Sequence, residues 1–324
     1  MKKSAILLAL VAGLFAVSGQ VRPAQAAPKL VLATTIVDHP VLAQIMRGVR
    51  DGLAAAGYPE GEGLTWREES AQGNVGTAAQ IARKYVGEHP DAIVVLGTPS
   101  VIAMAQATKE IPVIFGAMTD PVGARVVQSL EHPGGNVTGT TDMLPVDRHL
   151  DTIATLFPAV RRIGVVFNPG EANAVSQLAA LKAAVATRPG WQVVEAAAPN
   201  SGGVQQAARS LAGKSDLFYI MTDNTVEQAL DALLKVARDA KLPSFASDTS
   251  MVEQGAIVGL GFDYYQIGRL TGTMVAQVLG GAKPAEVPVG KISDLTLIVN
   301  PKAAAAIGYT IPEAFAAKAK LVGQ

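Results

Sequence analysis

Residues 93–106, IVVLGTPSVIAMAQ, and residues 218–230, FYIMTDNTVEQAL, decide the fold. Each is an apolar run too short for anything but a strand, then a turn of small polar residues, then the start of a helix. A buried strand that breaks at a polar turn and enters a helix is the repeating unit of a parallel sheet covered on both faces. Aligned on Ser100 and Thr225, the two copies lead into IPV at 111 and LPS at 242, each with a proline second. The spacing predicts two similar doubly wound α/β lobes rather than one large sheet.

Working outward, strand and helix patterns alternate in both directions. KLVLATTIV (29–37), GLTWREES (63–70), DAIVVLG (91–97), IPVIFGA (111–117) and NVTGTT (136–141) read as strands of the first lobe. Between them lie a helix with Leu42, Ile45, Val49, Leu53 and Ala56 on one face, ended by Gly57, and helices over 77–86 and 100–109. The same grammar restarts with RRIGVVFNP (161–169), WQVVEAA (191–197), DLFYIM (216–221), LPSFASD (242–248) and GAIVGLGF (255–262). Its helices cover 175–188, a stretch burying Val204, Ala207, Ala208 and Leu211, and one long helix carrying Val226, Ala229, Leu230, Leu233 and Ala237. Strands joined by helices of this length imply parallel pairing with right-handed crossovers. The tail, a helix over 263–281, an extended piece over 287–300 and a terminal alanine-rich helix, has the pattern of a chain crossing between lobes.

The start of the chain reads as a cleaved secretory leader over residues 1–26. Lys2 and Lys3 precede an uncharged apolar run from Ala5 to Val17, and Ala24-Gln25-Ala26 is a small-x-small cleavage pattern. The apolar run, about 13 residues, falls short of the roughly 20 needed to span a bilayer. The 324 residues hold no cysteine, which excludes disulfides, thiolate nucleophiles and cysteine-ligated metals. The whole chain balances 27 basic against 27 acidic residues, and loss of the leader removes Lys2, Lys3 and Arg22. No basic run suits nucleic acid.

In open α/β sheets ligands sit beyond the carboxyl ends of the strands, where loops enter helix N-termini. The candidate ligand-binding residues are therefore Thr35, His39, Thr98, Ser100, Thr119, Asp120 and Asp142 in the first half. Asn168, Glu171, Thr222, Asp223, Asn224, Asp248 and Asp263 occupy the matching places in the second. Free N–H groups beside hydroxyls, as at 97–100, suit an anion, although the same residues serve as ordinary helix caps. The four histidines, His39, His89, His132 and His149, lack metal-ligand spacing, and there is no nucleotide loop or nucleophile elbow. No catalytic residue, metal or cofactor is expected. Phe115, Phe167 and Phe245 near strand ends read as core or as ring contacts, and Tyr264-Tyr265 as hinge or core.

GTPSVIAMAQATKEIPVIFGAMTDPVGARVVQSLEHPGGNVTGTTD (97–142), IGVVFNPGEANAVSQ (163–177), TDNTVEQAL (222–230) and GFDYYQIGRLTG (261–272) together resemble the substrate-binding proteins of ABC importers, the tryptophan/phenylalanine-binding branch in particular. The resemblance runs from about Lys29 to the terminal helix. It implies a type I periplasmic-binding-protein fold, with two Rossmann-like lobes, a three-stranded hinge and closure on a ligand. One lobe would comprise residues 27–142 and about 264–288, the other about 143–263 and 289–324. It further implies a monomer in the periplasm that passes its ligand to an inner-membrane permease. The expected ligand is an amino acid, with Thr98, Ser100 and Thr119 suited to its carboxylate and Asp142, Asp223 and Asp248 to its amine. Two other readings are a sensory protein for a sugar or nucleoside and a secreted α/β enzyme.

Overall fold

Val31, Leu32 and Ala33 have no exposed surface, as expected of a strand covered by helices on both faces. They belong to β1 (Lys29–Thr35) in a computed structural model that describes residues 28–323; the expected leader lies outside them. The first lobe continues with α1 (Pro40–Ala55), β2 (Leu64–Ser70), α2 (Val75–Gly87), β3 (Ala92–Leu96), α3 (Thr98–Ala107), β4 (Val113–Gly116) and β5 (Val137–Thr141). After a crossing at Asp142 come α4 (Val146–Leu156), β6 (Arg162–Phe167), α5 (Ala172–Ala186), β7 (Gln192–Ala197), α6 (Val204–Leu211) and β8 (Leu217–Ile220). They are followed by α7 (Asn224–Gln228), α8 (Leu230–Asp239), β9 (Ser244–Ala246), α9 (Ser250–Glu253) and β10 (Val258–Phe262). The tail forms α10 (Tyr264–Leu279), β11 (Gly290–Lys291), β12 (Leu295–Val299), α11 (Pro301–Ala306), α12 (Glu313–Ala316) and β13 (Lys320–Leu321).

Two sheets result, in the orders β11-β5-β4-β3-β1-β2 and β13-β12-β10-β9-β8-β6-β7. The first is parallel throughout. The second is parallel except where β12 runs antiparallel to β10, with Val258 opposite Val299 and Phe262 opposite Leu295. The chain re-enters the second lobe from the hinge end of β10, so β12 runs back along it.

In each sheet the first strand of the lobe lies between the second and third, so the winding direction switches between β1 and β3 and again between β6 and β8. A cleft for a ligand opens at such switch points. The chain passes between the sheets after Thr141, after Phe262 and between Lys291 and Leu295. Gly290 and Lys291 pair with Thr140 and Thr141, so the returning segment stays in the first sheet just past Pro288.

The returning helix α10 lies on α1 through four glycines. A Cβ on Gly48 would lie 2.3 Å from the Tyr265 carbonyl oxygen, and one on Gly268 2.1 Å from that of Ile45. Gly52 and Gly272 make equivalent approaches to Arg269 and Val49. Tyr265 and Arg269 of α10 also bond to Asp51 on α1.

Three helical readings change. The long helix expected from Val226 to Ala237 is two, broken at Ala229, whose φ of −119° and ψ of 25° leave the helical region. The break lets a single turn hold Asn224 and Glu227 at the cleft while Leu230, Leu233 and Leu234 of α8 pack on the core. The alanine-rich terminus is likewise divided, by Gly308 at φ +79° and by Pro312 before α12. Helix α4 was not anticipated, although Val146, Leu150, Ile153 and Leu156 recur at helical spacing along its buried side.

Candidate ligand-binding site

Both switch points face one another across the cleft. On the first-lobe side, β3 ends in Gly97 at φ +87°, a backbone shape that L side chains avoid, and a Cβ there would meet Ile36 at 2.2 Å. Helix α3 starts directly on this glycine, and no side chain caps it. Its first turn carries Thr98 and Ser100, both buried, and the Ser100 hydroxyl has no partner. Thr119 follows β4, and Asp142 follows β5 at the crossing.

From the second lobe come Asn173, Thr222, Asn224 and Glu227. These residues, with Thr98, Thr119, Asp142, Tyr264 and the aliphatic side chains of Val41, Leu42 and Ile45, enclose a cavity of about 30 Å³. That is room for one or two waters, so a larger occupant must part the lobes. Through Asn224 the cavity adjoins a groove of about 510 Å³, whose lining includes Asn74, Asn168, Asn200 and Gln228. A recess of about 310 Å³, lined by Thr35, Val37, Asp38, His39, Pro40, Leu42, Ala43 and Glu68, shares Leu42 with the cavity.

The lobes touch through polar contacts. Ser176 Oγ donates to Asp120 at 2.7 Å, and Gln177 Nε2 reaches Thr119 Oγ1 at 3.5 Å. His39 Nδ1 lies 3.4 Å from Glu227 Oε2. Gln177 in turn holds the Thr222 backbone and hydroxyl.

The charge in the cavity has one sign. Asp142 and Glu227 line it, and no lysine or arginine does. Asp142 accepts from Thr119 and Tyr264 at 3.2 and 3.1 Å, yet burial raises its pKa to about 7. Burial raises Glu227 well above the ordinary carboxylate range, and the neighbouring acids add to the effect. Asp248 is pushed up to about 6 by burial, against the two bonds it receives from Ser250. Burial lowers His39 to about 4, so the imidazole is neutral at pH 7.

The expected site residues thus divide by what their polar atoms already hold. Thr98, Thr119, Asp142, Thr222 and Asn224 meet at the cavity, and Ser100 is buried in the same helical turn as Thr98 without lining it. Thr35 and His39 belong to the recess, Asn168 and Glu171 to the groove. Asp223 caps α7 through Thr225 and Val226 and accepts the Asn168 N–H, and burial raises its pKa. Asp248 is spent on Ser250, Asp120 on Gly123 and Ser176, and Asp263 is an exposed cap of α10. Phe245 stacks on Tyr219 within the core, and none of Phe115, Phe167 and Phe245 lines the cavity.

Glu171 is the most heavily bonded carboxylate of the group. It accepts from the Asn224 backbone and amide, from the Thr225 backbone and hydroxyl, and from Asn168 and Asn173. It ties the loop after β6 to the loop after β8. Glu171→Ala leaves those donors without an acceptor and is expected to cost about 3 kcal/mol. Removing the exposed cap in Asp263→Ala should cost about 1 kcal/mol. Urea unfolding of both variants checks the contrast, and equal losses would count against a structural role for Glu171.

Glu227, Asn173, Tyr264 and the aliphatic wall of α1 are cavity residues that the loop-based reading passed over. Glu227 had a signal: it lies among Val226, Leu230 and Leu234 on the apolar side of its helical stretch, where a carboxylate is costly unless used.

Two α/β lobes closed over a polar cavity at facing switch points define a solute-binding protein of the type I periplasmic fold. Residues 31–322 match the ABC transporter substrate binding protein family, and the chain belongs to it. Proteins of this family bind small solutes outside the cytoplasm for an ABC transporter permease and are not enzymes. Among the described residues no helix is long and apolar enough to cross a membrane.

The tyrosine-binding protein of Clostridioides difficile strain R20291 is 37% identical over 265 residues, 82% of this chain and 76% of the relative. The structure of a Streptococcus pneumoniae ABC domain in complex with L-Trp is similar with a TM-score of 0.87 at 33% identity, covering 91% of this chain and all of that one, 100%. A ligand-free, open substrate-binding protein with adhesive properties from Clostridium difficile gives a TM-score of 0.70 at 35% identity, covering 91% and 99%. With identity and coverage so alike, the lower score against an open structure is what a different angle between lobes produces. The interlobe bonds of Ser176, Gln177 and His39 agree with a closed arrangement here.

Proposed function

We propose that the mature protein is a monomeric periplasmic receptor, released from its leader after Ala26, that delivers an aromatic amino acid to an inner-membrane permease. The observation that carries this reading is the polarity of the cavity. An uncapped helix start lines it with the Thr98 hydroxyl, the unpartnered Ser100 hydroxyl lying in the same first turn, and Asp142 and Glu227 line it with no balancing cation among the lining residues. That arrangement complements a zwitterion: N–H groups and hydroxyls for an α-carboxylate, two carboxylates for an α-amine. Thr119 gives its hydroxyl hydrogen to Asp142 and so stays with the amine end. The amine goes to Asp142 and Glu227, since Asp223 and Asp248 spend their oxygens on helix starts.

Closure in this reading moves residues 27–142 with about 264–291 against the remainder. The aromatic side chain is supported by the relatives' ligands and by the wall of Val41, Leu42 and Ile45. Native mass spectrometry of freshly purified protein, then calorimetry with the twenty amino acids, tests the proposal. Tyrosine, tryptophan or phenylalanine is expected to bind and to raise the unfolding temperature, since a ligand at 1,000 times its Kd adds about 4 kcal/mol of stability. A response to a sugar or nucleoside with none to any amino acid would overturn the ligand class.

A further inference from the structure

The geometry points to His39 as the residue that reads the far end of the ligand's ring, donating its Nε2–H to a phenolic oxygen and so selecting tyrosine over phenylalanine and tryptophan. The inference rests on the aromatic amino-acid reading of the cavity and goes beyond it.

The imidazole is buried, the side chain being 6% exposed, and it caps α1. The backbone N–H of Val41 donates to Nδ1 at 3.4 Å, which leaves that nitrogen bare and puts the ring proton on Nε2. Glu227 Oε2 lies 3.4 Å from the same Nδ1, whose single lone pair the Val41 N–H already takes. Nε2 is buried and has no partner. An unpaired buried donor is costly, and it persists where a ligand supplies the acceptor.

The place of His39 fits that use. An amine held at Asp142 and Glu227 leaves the side chain two ways out of the cavity. One leads to the amide-lined groove. The other passes Leu42, which lines both spaces, into the recess, where Val37, Pro40 and Ala43 stand with Asp38 and Glu68. An aromatic ring finds its aliphatic walls on the second way, at Leu42, Val37, Pro40 and Ala43, and His39 stands there, near Glu227 and lining the recess. The phenolic oxygen of tyrosine accepts from Nε2–H. Phenylalanine leaves that donor unpaired, and the indole N–H of tryptophan opposes it with a second donor.

Calorimetric affinities of L-tyrosine, L-phenylalanine and L-tryptophan for the mature protein and for His39→Asn test this. Asparagine keeps the cap of α1 and removes the distal donor. The wild type should bind tyrosine roughly tenfold or more tighter than phenylalanine. In His39→Asn that ratio should fall to within about threefold through loss of tyrosine affinity. Near-ultraviolet circular dichroism and the melting temperature report whether the variant keeps its fold; should it not, His39→Ser, which also caps a helix start and has no distal donor, takes its place. A wild type with no preference for tyrosine, or a preference that survives the substitution, would overturn the assignment to His39 while leaving the receptor for aromatic amino acids standing. Binding of none of the three to the wild type would overturn both.

Discussion

Gly268→Leu is expected to be the most damaging single substitution in the first lobe, costing about 3 kcal/mol or more and lowering the thermal unfolding midpoint steeply. Helices α1 and α10 approach backbone to backbone. The first atom of a side chain at Gly268 would sit 2.1 Å from the Ile45 carbonyl oxygen and 2.9 Å from its carbon. Nothing there is the free end of a flexible side chain, so the helices must separate, and the neighbouring contacts at Gly48, Gly52 and Gly272 separate with them. The returning segment that brings Tyr264 to the hinge would lose its seat. Leucine at Gly87, where a Cβ meets nothing within 4 Å, is the control and should change stability by less than about 1 kcal/mol. Scanning calorimetry of the two variants decides the matter. A Gly268→Leu protein as stable as the Gly87→Leu protein would show that the helices part easily.

The contact at Gly268 also marks the limit of what could be read in advance. The strand-turn-helix units at Gly97 and Thr222 were legible because each short apolar run ends at a polar turn, and local chemistry decides such places. The pairing of Gly48 and Gly52 with Gly268 and Gly272 joins residues more than 200 positions apart, and spacing within either helix cannot show which partner it meets. The break at Ala229 is invisible to propensity, since alanine is the best helix former; tertiary packing on either side imposes it.

The site was legible as a set of loops and obscure as a set of roles. Asp142, Asp223, Asp248 and Asp263 look alike as polar residues after strands. Only their partners separate a cap from a carboxylate that faces the cavity. Glu227 lay within a helix and escaped a search confined to turns.

Asp142→Asn is expected to weaken L-tyrosine binding roughly 100-fold while stabilising the ligand-free protein. Both effects follow from a buried carboxylate without a cation. Its pKa of about 7 stands far above that of an exposed aspartate, because burial penalises the charged form. A carboxyl whose pKa rises on folding holds a proton in the native state over a range where the unfolded chain is ionised. The free protein therefore loses stability as pH rises from about 4 to about 7, and regains it on acidification.

Asparagine removes that penalty and still offers an oxygen to Tyr264, while the Thr119 hydroxyl can turn to accept from the amide. Each kcal/mol so relieved at pH 8 raises the melting midpoint by about 2–4 °C in a chain of this size. The ligand's amine loses an opposite charge in a water-poor site, a loss of the order seen for buried charge pairs.

The same proton separates a charge effect from a packing effect. In the wild type the amine must displace it, so affinity should fall by up to about tenfold per pH unit between pH 7 and pH 5. Calorimetry in buffers of different ionisation enthalpy should register its release. In Asp142→Asn the slope should diminish toward whatever Glu227 contributes. A wild-type affinity that stays flat across this range, together with an unchanged affinity in the variant, would remove Asp142 from the amine site and leave it as a hinge residue tying Thr119 to Tyr264.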